Sequence, residues 1–401
     1  MDLKSGYPFW TVADGLVASF PPLLRDLRCD VAIVGAGITG ALIADTLCEA
    51  GLDVVVLDAR DAGWGSTAAS TAMLQYEVDT GLLGIARRYG EANAAAIMKA
   101  CERAVREIGP IAKRVRGSGF RHVESLYCAS WPWHAARVRA EGEARRRHGF
   151  ELDILERDVL RARFGIDAPV ALLTKVAAEI DPYRTAIGLL RELSERGCGV
   201  FDRTRVERWE NARSHVRVRT DRGAVVRCRY LVIAAGYESE AFLQQRVARN
   251  HSTYALVTEP IEEAPPWTRR TLFWESRRPY LYMRSARDGR LLVGGEDDRV
   301  DVPAKRDRAV PRKARRLIAK LRALLARDDV EEGFSWAGTF AVTKDDLPFF
   351  GPHPEHGPRV HFAMAYGGNG IAYSRVGAGM IRHRILGQAH PLERLFSFER
   401  I

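Results

Sequence analysis

Apolar residues along the chain fall into continuous runs and helical repeats. Residues 29–60 read as an apolar strand, a glycine turn, a small-residue helix and a second apolar strand, which predicts a β-α-β unit. The run at 54–56 is three valines, as a strand buried on both faces requires. Gly51 marks the end of the helix between the strands. This pattern predicts a parallel sheet covered by helices.

Helical repeats follow in three places. Residues 89–108 carry apolar side chains three and four positions apart, and Gly109 with Pro110 predicts the end of that helix. Residues 133–148 form a second, strongly basic helical pattern, and residues 185–196 form a third. The arginine-rich runs at 145–147 and 312–316 are predicted to be solvated helix faces.

Strand patterns dominate the middle of the chain. Residues 215–228 alternate around a turn at 221–223, which is typical of a β-hairpin, and residues 230–236 form another buried strand. Further strand patterns lie within residues 252–295. Alternating helices and strands at both ends, with antiparallel strands between them, predict one nucleotide-binding domain interrupted by a second sheet domain.

Composition fits a soluble protein with two lobes. The 401 residues are 46% hydrophobic and 28% charged, with a formal net charge of +10. A positive field attracts anions in general, but no basic-aromatic module favours nucleic acid as the ligand. The 6 cysteines form no C-x-x-C pair, which favours a reducing compartment. Without a signal-peptide pattern or an apolar run that could span a bilayer, we expect a cytoplasmic protein.

The first strand-to-helix turn carries the clearest chemistry. Gly35, Gly37 and Gly40 form G-x-G-x-x-G, which permits a tight turn, close approach of a pyrophosphate and close helix packing. A phosphate would lie at the helix N-terminus, where the helix dipole favours negative charge. Asp58 ends the second strand, where a carboxylate can accept hydrogen bonds from ribose hydroxyls. The motif predicts a dinucleotide but does not separate NAD from FAD.

Two later segments favour FAD. Residues 63–70 form a small, hydroxyl-rich loop that could donate hydrogen bonds to a ligand extended beyond its pyrophosphate. Residues 367–370 are glycine-rich and precede a predicted helix, and a second helix N-terminus suits the negative edge of a reduced flavin. A plain surface loop and a packing turn remain the alternatives for these two segments.

Together these segments resemble the D-amino-acid oxidase (DAO) superfamily of FAD-dependent oxidoreductases, in the branch of sarcosine, glycine and γ-glutamylputrescine oxidases. The resemblance covers nearly all of the chain and depends on the combination and order of its motifs. These motifs are CDVAIVGAGITG, GSTAAST, DPYRTAIGLL, FDRTRVE, VIAAGYES, STYALVTEP, RPYLYMRSARDGRLLVGGED, WAGTFAVTKDDLPFFG and YGGNGIAYS.

The resemblance implies an α/β fold with a Rossmann-like FAD-binding domain of the glutathione-reductase type and an inserted antiparallel-sheet substrate domain. We place the noncontiguous FAD-binding domain at residues 1–88, 150–245 and 333–401. The substrate domain is then formed by residues 89–149 and 246–332.

The resemblance also implies which residues hold the cofactor. The glycine motif would contact the pyrophosphate, and Asp58 the adenosine ribose. Ser66 and Thr67 would contact the phosphate-ribityl stretch, and residues 368–371 the flavin ring. The predicted cofactor-binding residues are Gly35, Gly37, Ile38, Thr39, Gly40, Asp58, Ala59, Arg60, Gly65, Ser66, Thr67, Val206, Ala235, Gly236, Gly368, Asn369, Gly370 and Ile371.

Several positions depart from the family pattern. Gly338 stands where some relatives attach FAD through a cysteine, so we expect noncovalent FAD. Gln75 and Ala372 stand where relatives clamp a substrate carboxylate with Arg and Lys. This departure argues against a small α-amino acid held by that clamp and favours a larger amine or an amino acid bound in another orientation. Leu292 stands where some members have a lysine that assists oxygen, so O2 as the electron acceptor is not assured.

The predicted activity is FAD-dependent oxidation of a C–N bond in an amine or amino acid, giving an imine that water hydrolyses. Candidate substrate contacts are Gln75, Tyr254, Tyr282 and Arg284, and no metal site or catalytic base is predicted. One alternative is a dehydrogenase that passes electrons to a quinone or a partner protein instead of O2. Another is a non-catalytic protein that binds a nucleotide or RNA.

Overall fold

The computed structural model describes residues 2–299 and 301–400. Strands in this part of the chain form two sheets. The strands are β1 (Lys4–Ser5), β2 (Leu27–Val34), β3 (Val54–Leu57), β4 (Met73–Gln75), β5 (Arg121–Cys128), β6 (Leu152–Glu156), β7 (Val170–Glu179), β8 (Gly199–Phe201), β9 (Val206–Asn211), β10 (Val216–Thr220), β11 (Val225–Ile233), β12 (Arg249–Thr258), β13 (Thr271–Glu275), β14 (Leu281–Ser285), β15 (Leu291–Asp298), β16 (Glu332–Val342), β17 (Phe349–Pro352) and β18 (Val360–Met364).

Helices cover these sheets and link their strands. The α-helices are α1 (Phe9–Asp14), α2 (Ile38–Glu49), α3 (Ser66–Ala69), α4 (Gly81–Tyr89), α5 (Glu91–Arg114), α6 (Ala135–Arg147), α7 (Arg157–Phe164), α8 (Pro182–Glu195), α9 (Pro303–Leu325), α10 (Gly370–Ile385) and α11 (Glu393–Phe396). None of the helices within residues 2–299 and 301–400 is long and apolar enough to cross a membrane.

The first sheet has eight strands around a parallel centre, in the order β18-β11-β2-β3-β8. Strand β17 is antiparallel at one edge, and β10 and β9 extend β11 as an antiparallel hairpin. The predicted β-α-β unit is confirmed as β2-α2-β3, and its strands are fully buried where they are purely apolar. Helices α2 and α10 pack against each other over this sheet.

The second sheet has ten strands, in the order β1-β16-β12-β15-β14-β13-β5-β7-β4, with β6 paired to β7. All of its pairs are antiparallel except the β13–β5 pair. Strands β6, β7 and β16 belong to this sheet, although their residues lie largely within the ranges proposed for the FAD-binding domain. The mixed α/β fold with a Rossmann-like sheet and a second sheet is confirmed, while the exact boundaries remain a prediction.

Helix α5 differs from the sequence prediction, because it runs through Pro110 and ends at Arg114. A Cβ at Gly109 would lie 3.0 Å from the Phe120 ring, so this glycine serves close packing within the helix. Ile111 and Ala112 continue the buried face beyond the proline. Burial of that face therefore outweighs the local cost of proline in the last turn.

The prediction that both arginine-rich runs are solvated is wrong at two positions. Arg145 is only 1% exposed and donates to Glu141 at 2.8 Å. Lys313 is 4% exposed and donates to Asp298 at 2.7 Å. Both cations are buried because carboxylates on nearby segments compensate their charge, which a charge count along the chain does not reveal.

Candidate active site

A cleft of about 1750 Å³, including its opening, is lined by residues of both sheets. Fifteen of the predicted cofactor-binding residues line it: Gly35, Gly37, Ile38, Thr39, Asp58, Arg60, Gly65, Ser66, Thr67, Ala235, Gly236, Gly368, Asn369, Gly370 and Ile371. Gly40, Ala59 and Val206 do not line the cleft, and cofactor binding remains a prediction for all 18 residues.

The turn between β2 and α2 requires glycine for steric reasons. Gly35 has a φ of 115°, and a Cβ there would lie 2.3 Å from the carbonyl oxygen of Ala234. A Cβ at Gly37 would lie 2.8 Å from Thr67 Oγ1, which accepts the Ile38 N–H at 3.0 Å. The glycines thus leave the N-terminus of α2 open to the cleft, with Thr67 as a neighbouring side chain. This geometry suits a phosphate bound by backbone N–H groups.

Asp58 fixes the far side of this turn. Its Oδ2 accepts the Ala36 N–H at 2.7 Å, and its Oδ1 accepts the Arg60 N–H at 2.9 Å. Burial raises the pKa of the Asp58 carboxyl, while these two N–H donors lower it. Each carboxylate oxygen can accept more than one hydrogen bond, so Asp58 can also accept from hydroxyls of a ligand in the cleft.

The segment after β3, which includes α3, is tied to β16 and to α1 through its backbone. Trp336 Nε1 donates to the Ala69 carbonyl at 2.9 Å, and Trp10 Nε1 donates to the Ser70 carbonyl at 2.7 Å. Ser66 Oγ, in the same loop, is buried, lines the cleft and has no hydrogen-bond partner in the described chain. A buried hydroxyl in this state calls for a partner that a ligand can supply.

The C-terminal glycine turn faces the same cleft. Asn369 Nδ2 donates to the Glu77 carbonyl at 2.5 Å, which holds the turn against the segment after β4. Thr39 and Ser374 share a hydrogen bond of 2.7 Å that joins α2 to α10. Two helix N-termini that are far apart in sequence therefore line one cavity, as a long ligand with separated negative groups requires.

Beside the glycine turn, the cleft has a polar and aromatic part that we call the substrate chamber, lined by Gln75, Asp79, Trp274, Tyr280 and Tyr282. The rings of Tyr280 and Tyr282 lie 5.4 Å apart. Burial raises the pKa of Tyr282 to about 12, so its hydroxyl stays protonated at neutral pH. The chamber therefore combines aromatic walls with a small set of polar groups.

Tyr282 lies flat across the neighbouring strand because its partner in register is Gly294. A Cβ at Gly294 would lie 2.2 Å from Tyr282 Cζ. This glycine therefore makes room for the aromatic wall, and any larger residue there would displace the ring.

Two side chains of the chamber, Asp79 and Gln75, carry acceptor oxygens without hydrogen-bond partners among the described residues. Asp79 forms no hydrogen bond with any residue in the described ranges, and its Oδ2 would lie 2.8 Å from a Cβ at Gly368. Burial raises the pKa of the Asp79 carboxyl, opposed by the charge of Arg278. Gln75 is 8% exposed, and its Oε1 has no hydrogen-bond partner among the residues described. Gln75 Oε1 is buried, whereas Asp79 is half-buried. These acceptors favour a donor-rich ligand, because a buried polar group without a partner is costly.

Two of the four candidate substrate residues lie elsewhere. Tyr254 is 2% exposed, lies outside the cleft and donates to Asp298 at 2.8 Å. Arg284 also lies outside the cleft lining, and its guanidinium donates to the carbonyls of Ala72 at 2.9 Å and Ile180 at 2.8 Å. These contacts make Arg284 a support of the loop backbone. Only Gln75 and Tyr282 line the chamber as the sequence suggested.

Three chamber residues were missed from the sequence: Asp79, Trp274 and Tyr280. Asp79 follows Glu77 in the short segment between β4 and α4 and belongs to no recognised motif, and Trp274 lies in a strand that reads as plain core. Tyr280 directly precedes a strand pattern that contains Tyr282. Its alternation with Tyr282 was the one available signal, because i and i+2 side chains share a face of a strand.

Comparisons with known proteins identify one family of oxidoreductases. The family model for FAD dependent oxidoreductases (DAO) matches residues 30–384. γ-Glutamylputrescine oxidoreductase of Escherichia coli (strain K12) is 25% identical over 395 residues, which cover 96% of this chain and 90% of that protein. Glycine oxidase of Bacillus licheniformis is 24% identical over 378 residues, which cover 93% of this chain and 97% of that protein.

Solved structures show the same fold. L-proline dehydrogenase from P. horikoshii superposes with a TM-score of 0.79 at 16% identity, covering 94% of this chain and 99% of that one. Glycine oxidase from Geobacillus kaustophilus also superposes with a TM-score of 0.79, at 18% identity and with the same coverage. The chain therefore belongs to the DAO family of FAD-dependent oxidoreductases.

Proposed function

We propose that this protein binds FAD noncovalently in the cleft and oxidises the carbon next to the nitrogen of an amine. FAD, when bound, supplies the two-electron acceptor for a hydride from that carbon. The substrate becomes an imine, which water hydrolyses to a carbonyl compound and a released amine or ammonia. The similarity to γ-glutamylputrescine oxidoreductase and glycine oxidase supports this class of reaction.

The lining of the cleft fits FAD along its length. The open N-terminus of α2 suits the pyrophosphate, and Asp58 suits the adenosine ribose. Ser66 Oγ, buried without a partner, suits the phosphate-ribityl stretch. Gly338 lines the cleft at the position where the family resemblance places a cysteine, which supports noncovalent attachment.

The observation that carries the proposal is the set of unpaired acceptors in the substrate chamber. An alkyl ammonium offers several N–H donors and a positive charge, so it satisfies Asp79 and Gln75 together. Trp274 and the two tyrosines add aromatic faces that attract a cation. A carboxylate in the same place would be repelled by Asp79.

In this arrangement the Asp79 carboxylate first binds the substrate ammonium and then accepts a proton from it. An ammonium group must lose a proton before its lone pair can assist departure of the hydride. Asp79 is placed to take that proton, and the upward shift of its pKa makes it a better acceptor. The aromatic walls orient the chain of the substrate and exclude water from the reacting carbon.

The chamber does not favour a carboxylate directly beside the reacting carbon. Gln75 stands where the family resemblance places an arginine, and Ala372 is buried in α10 outside the cleft lining. Arg284 is already bound to backbone carbonyls. These positions support an amine in which any acidic group is remote from the reacting nitrogen.

Anaerobic reduction of the FAD-loaded protein tests the proposal. Alkyl amines are expected to bleach the yellow colour, and subsequent hydrolysis should yield an aldehyde and ammonia in equal amounts. The variant Asp79→Asn serves as the control for adventitious reduction of the flavin. If neither amines nor α-amino acids bleach the colour, this function is wrong.

A second candidate function keeps the chemistry but changes the electron acceptor. Leu292 is fully buried at the position where the family resemblance places an oxygen-assisting lysine. That residue favours a dehydrogenase that delivers electrons to a quinone or a partner protein. Stopped-flow mixing of the reduced protein with O2 separates the candidates, because rapid reoxidation indicates the oxidase and slow reoxidation indicates the dehydrogenase.

A further inference from the structure

A second cavity adjoins the substrate chamber. It has a volume of about 930 Å³, including its opening, and shares Asp79 and Trp274 with the cleft. Tyr127 lines only the second cavity and stacks on Trp274, with ring centroids 4.0 Å apart. Asp79 and Trp274 therefore form part of the wall between the two spaces. A molecule whose nitrogen contacts Asp79 lies directly beside the second cavity.

The lining of the second cavity has the opposite chemistry from the chamber. Arg87, Arg137 and Arg145 line it, together with Glu141 and Asp79. Glu141 is fully engaged, since its carboxylate accepts the N–H groups of Leu82 at 2.7 Å and Leu83 at 3.0 Å and pairs with Arg145.

The guanidinium groups have capacity left for a ligand. Arg145 is 1% exposed, and its Nη1 has no hydrogen-bond partner in the described structure, the Glu77 carboxylate being 3.9 Å away. Arg87 and Arg137 are exposed, and neither pairs with a carboxylate in residues 2–299 and 301–400. Guanidinium groups bind carboxylates through charge-assisted and often paired hydrogen bonds, and the burial of Arg145 strengthens such a contact at that residue.

We propose that the second cavity binds a carboxylate at the far end of the substrate, so that the substrate class is an amine with a remote carboxylate. This inference rests on the proposed amine oxidation and specifies its substrate. The ammonium lies at Asp79, the aliphatic chain passes Trp274 and Tyr127, and the carboxylate lies at Arg87, Arg137 and Arg145. Opposite charges at the two ends fix the orientation of the substrate.

Two amines of equal length test the proposal on the FAD-loaded protein. Hexylamine carries no acid, whereas ε-aminocaproate carries a terminal carboxylate. We expect the KM of ε-aminocaproate to be lower by about tenfold or more, as a charge-assisted contact implies. In the double variant Arg87→Gln/Arg137→Gln the ratio of the two KM values should fall toward one.

Matched control variants are available on the same two helices. Arg88 donates to the Lys344 carbonyl, and Arg139 pairs with Glu156, and neither lines the cavity. The double variant Arg88→Gln/Arg139→Gln removes the same charge and should leave the KM ratio unchanged. Equal KM values for the two amines in the unmodified protein, or equal effects of the two double variants, would overturn the proposal.

A binding measurement keeps the proposal separate from the proposed reaction. Calorimetric titration of the FAD-loaded protein with hexanoate should show binding that weakens about tenfold in Arg87→Gln/Arg137→Gln and is unchanged in the control. If no amine reduces the flavin but hexanoate binds in this way, the reaction is wrong and the anionic site stands. If amines reduce the flavin and hexanoate does not bind, the reaction stands and the anionic site is wrong.

Discussion

The cofactor part of the cleft and the substrate chamber are built by different means. Around Gly35 and Gly37 the backbone itself forms the surface, and side chains are excluded by contacts as short as 2.3 Å. In the chamber, side chains from β4, β13 and β14 and from the segments beside them meet only because the strands pair across the sheet. The comparison teaches that a backbone-built site leaves a local signature in sequence, whereas a side-chain-built site depends on register.

The largest expected effect comes from filling the backbone-built part. In Gly37→Val the new side chain would meet Thr67, whose Oγ1 already lies 2.8 Å from the Cβ position, and would cover the N-terminus of α2. We expect FAD affinity to fall by about 2–3 kcal/mol, roughly a hundredfold. Fluorescence titration with FAD measures it.

Gly379→Ala is the matched control, since no atom lies within 4 Å of its Cβ position and it is inside α10. That variant should bind FAD normally. Full FAD affinity in Gly37→Val would break the distinction between the two parts.

The next effect concerns the side-chain-built part. Asp79→Asn keeps the shape of the chamber but removes its negative charge, so kcat/KM for amines should fall by about tenfold to a hundredfold. FAD affinity should stay within about twofold of the unmodified protein, because Asp79 is assigned to the substrate. Asp153→Asn, an exposed acid on β6, is the control. Equal loss of FAD in Asp79→Asn would place this residue in the cofactor part instead.

The acid stability of the protein depends on a buried histidine that lies outside both parts of the cleft. His361 on β18 is fully buried, both ring nitrogens lack partners in the described chain, and burial lowers its pKa to about 3. Below pH about 6.5 the unfolded state binds a proton that the folded state excludes, so stability falls by about 1.4 kcal/mol per pH unit until the folded pKa is reached.

His361→Phe should remove this part of the acid loss. The difference in the free energy of unfolding between the variant and the unmodified protein should grow in favour of the variant as the pH falls from about 6.5 toward 4. Urea unfolding at several pH values measures it. A difference that is independent of pH would show that His361 does not carry the acid sensitivity.

The smallest expected effect distinguishes two tyrosines of the second sheet, Tyr254 on β12 and Tyr282 on β14. Tyr254→Phe loses the hydrogen bond to Asp298 and should cost about 1 kcal/mol of stability without changing KM. Tyr282→Phe should change KM, because its ring and hydroxyl line the chamber. Thermal unfolding and steady-state kinetics on both variants check the contrast, and a KM change confined to Tyr254→Phe would reverse the assignment.

Much of the fold could be predicted from sequence, because β2-α2-β3 has strong periodicity and glycine punctuation. The loop at 63–70 and the turn at 367–370 were also found, since small residues at a helix start have a local steric meaning. Helix α5 extended past its predicted end because burial of its apolar face outweighs Pro110. Local signals thus predict local geometry and fail where tertiary packing competes with them.

The substrate chamber could be predicted only in part. Tyr254 and Tyr282 look alike in sequence, yet the first faces α9 and pairs with Asp298 while the second faces the cleft. Arg284 looks like an unpaired cation in the sequence, but its guanidinium donates hydrogen bonds to carbonyls of segments more than a hundred residues away. A role for Asp79 in substrate binding could be proposed only once the structure placed it beside Gly368. These roles depend on strand pairing and burial, which one sequence does not display.

The most direct test is the absorbance spectrum of the protein after incubation with FAD and removal of free cofactor, followed by acid denaturation and filtration. The account predicts a flavin spectrum in the native sample, with all of the yellow colour in the filtrate after denaturation. A protein that takes up no FAD would contradict the site, and colour that stays with the denatured chain would contradict its noncovalent nature.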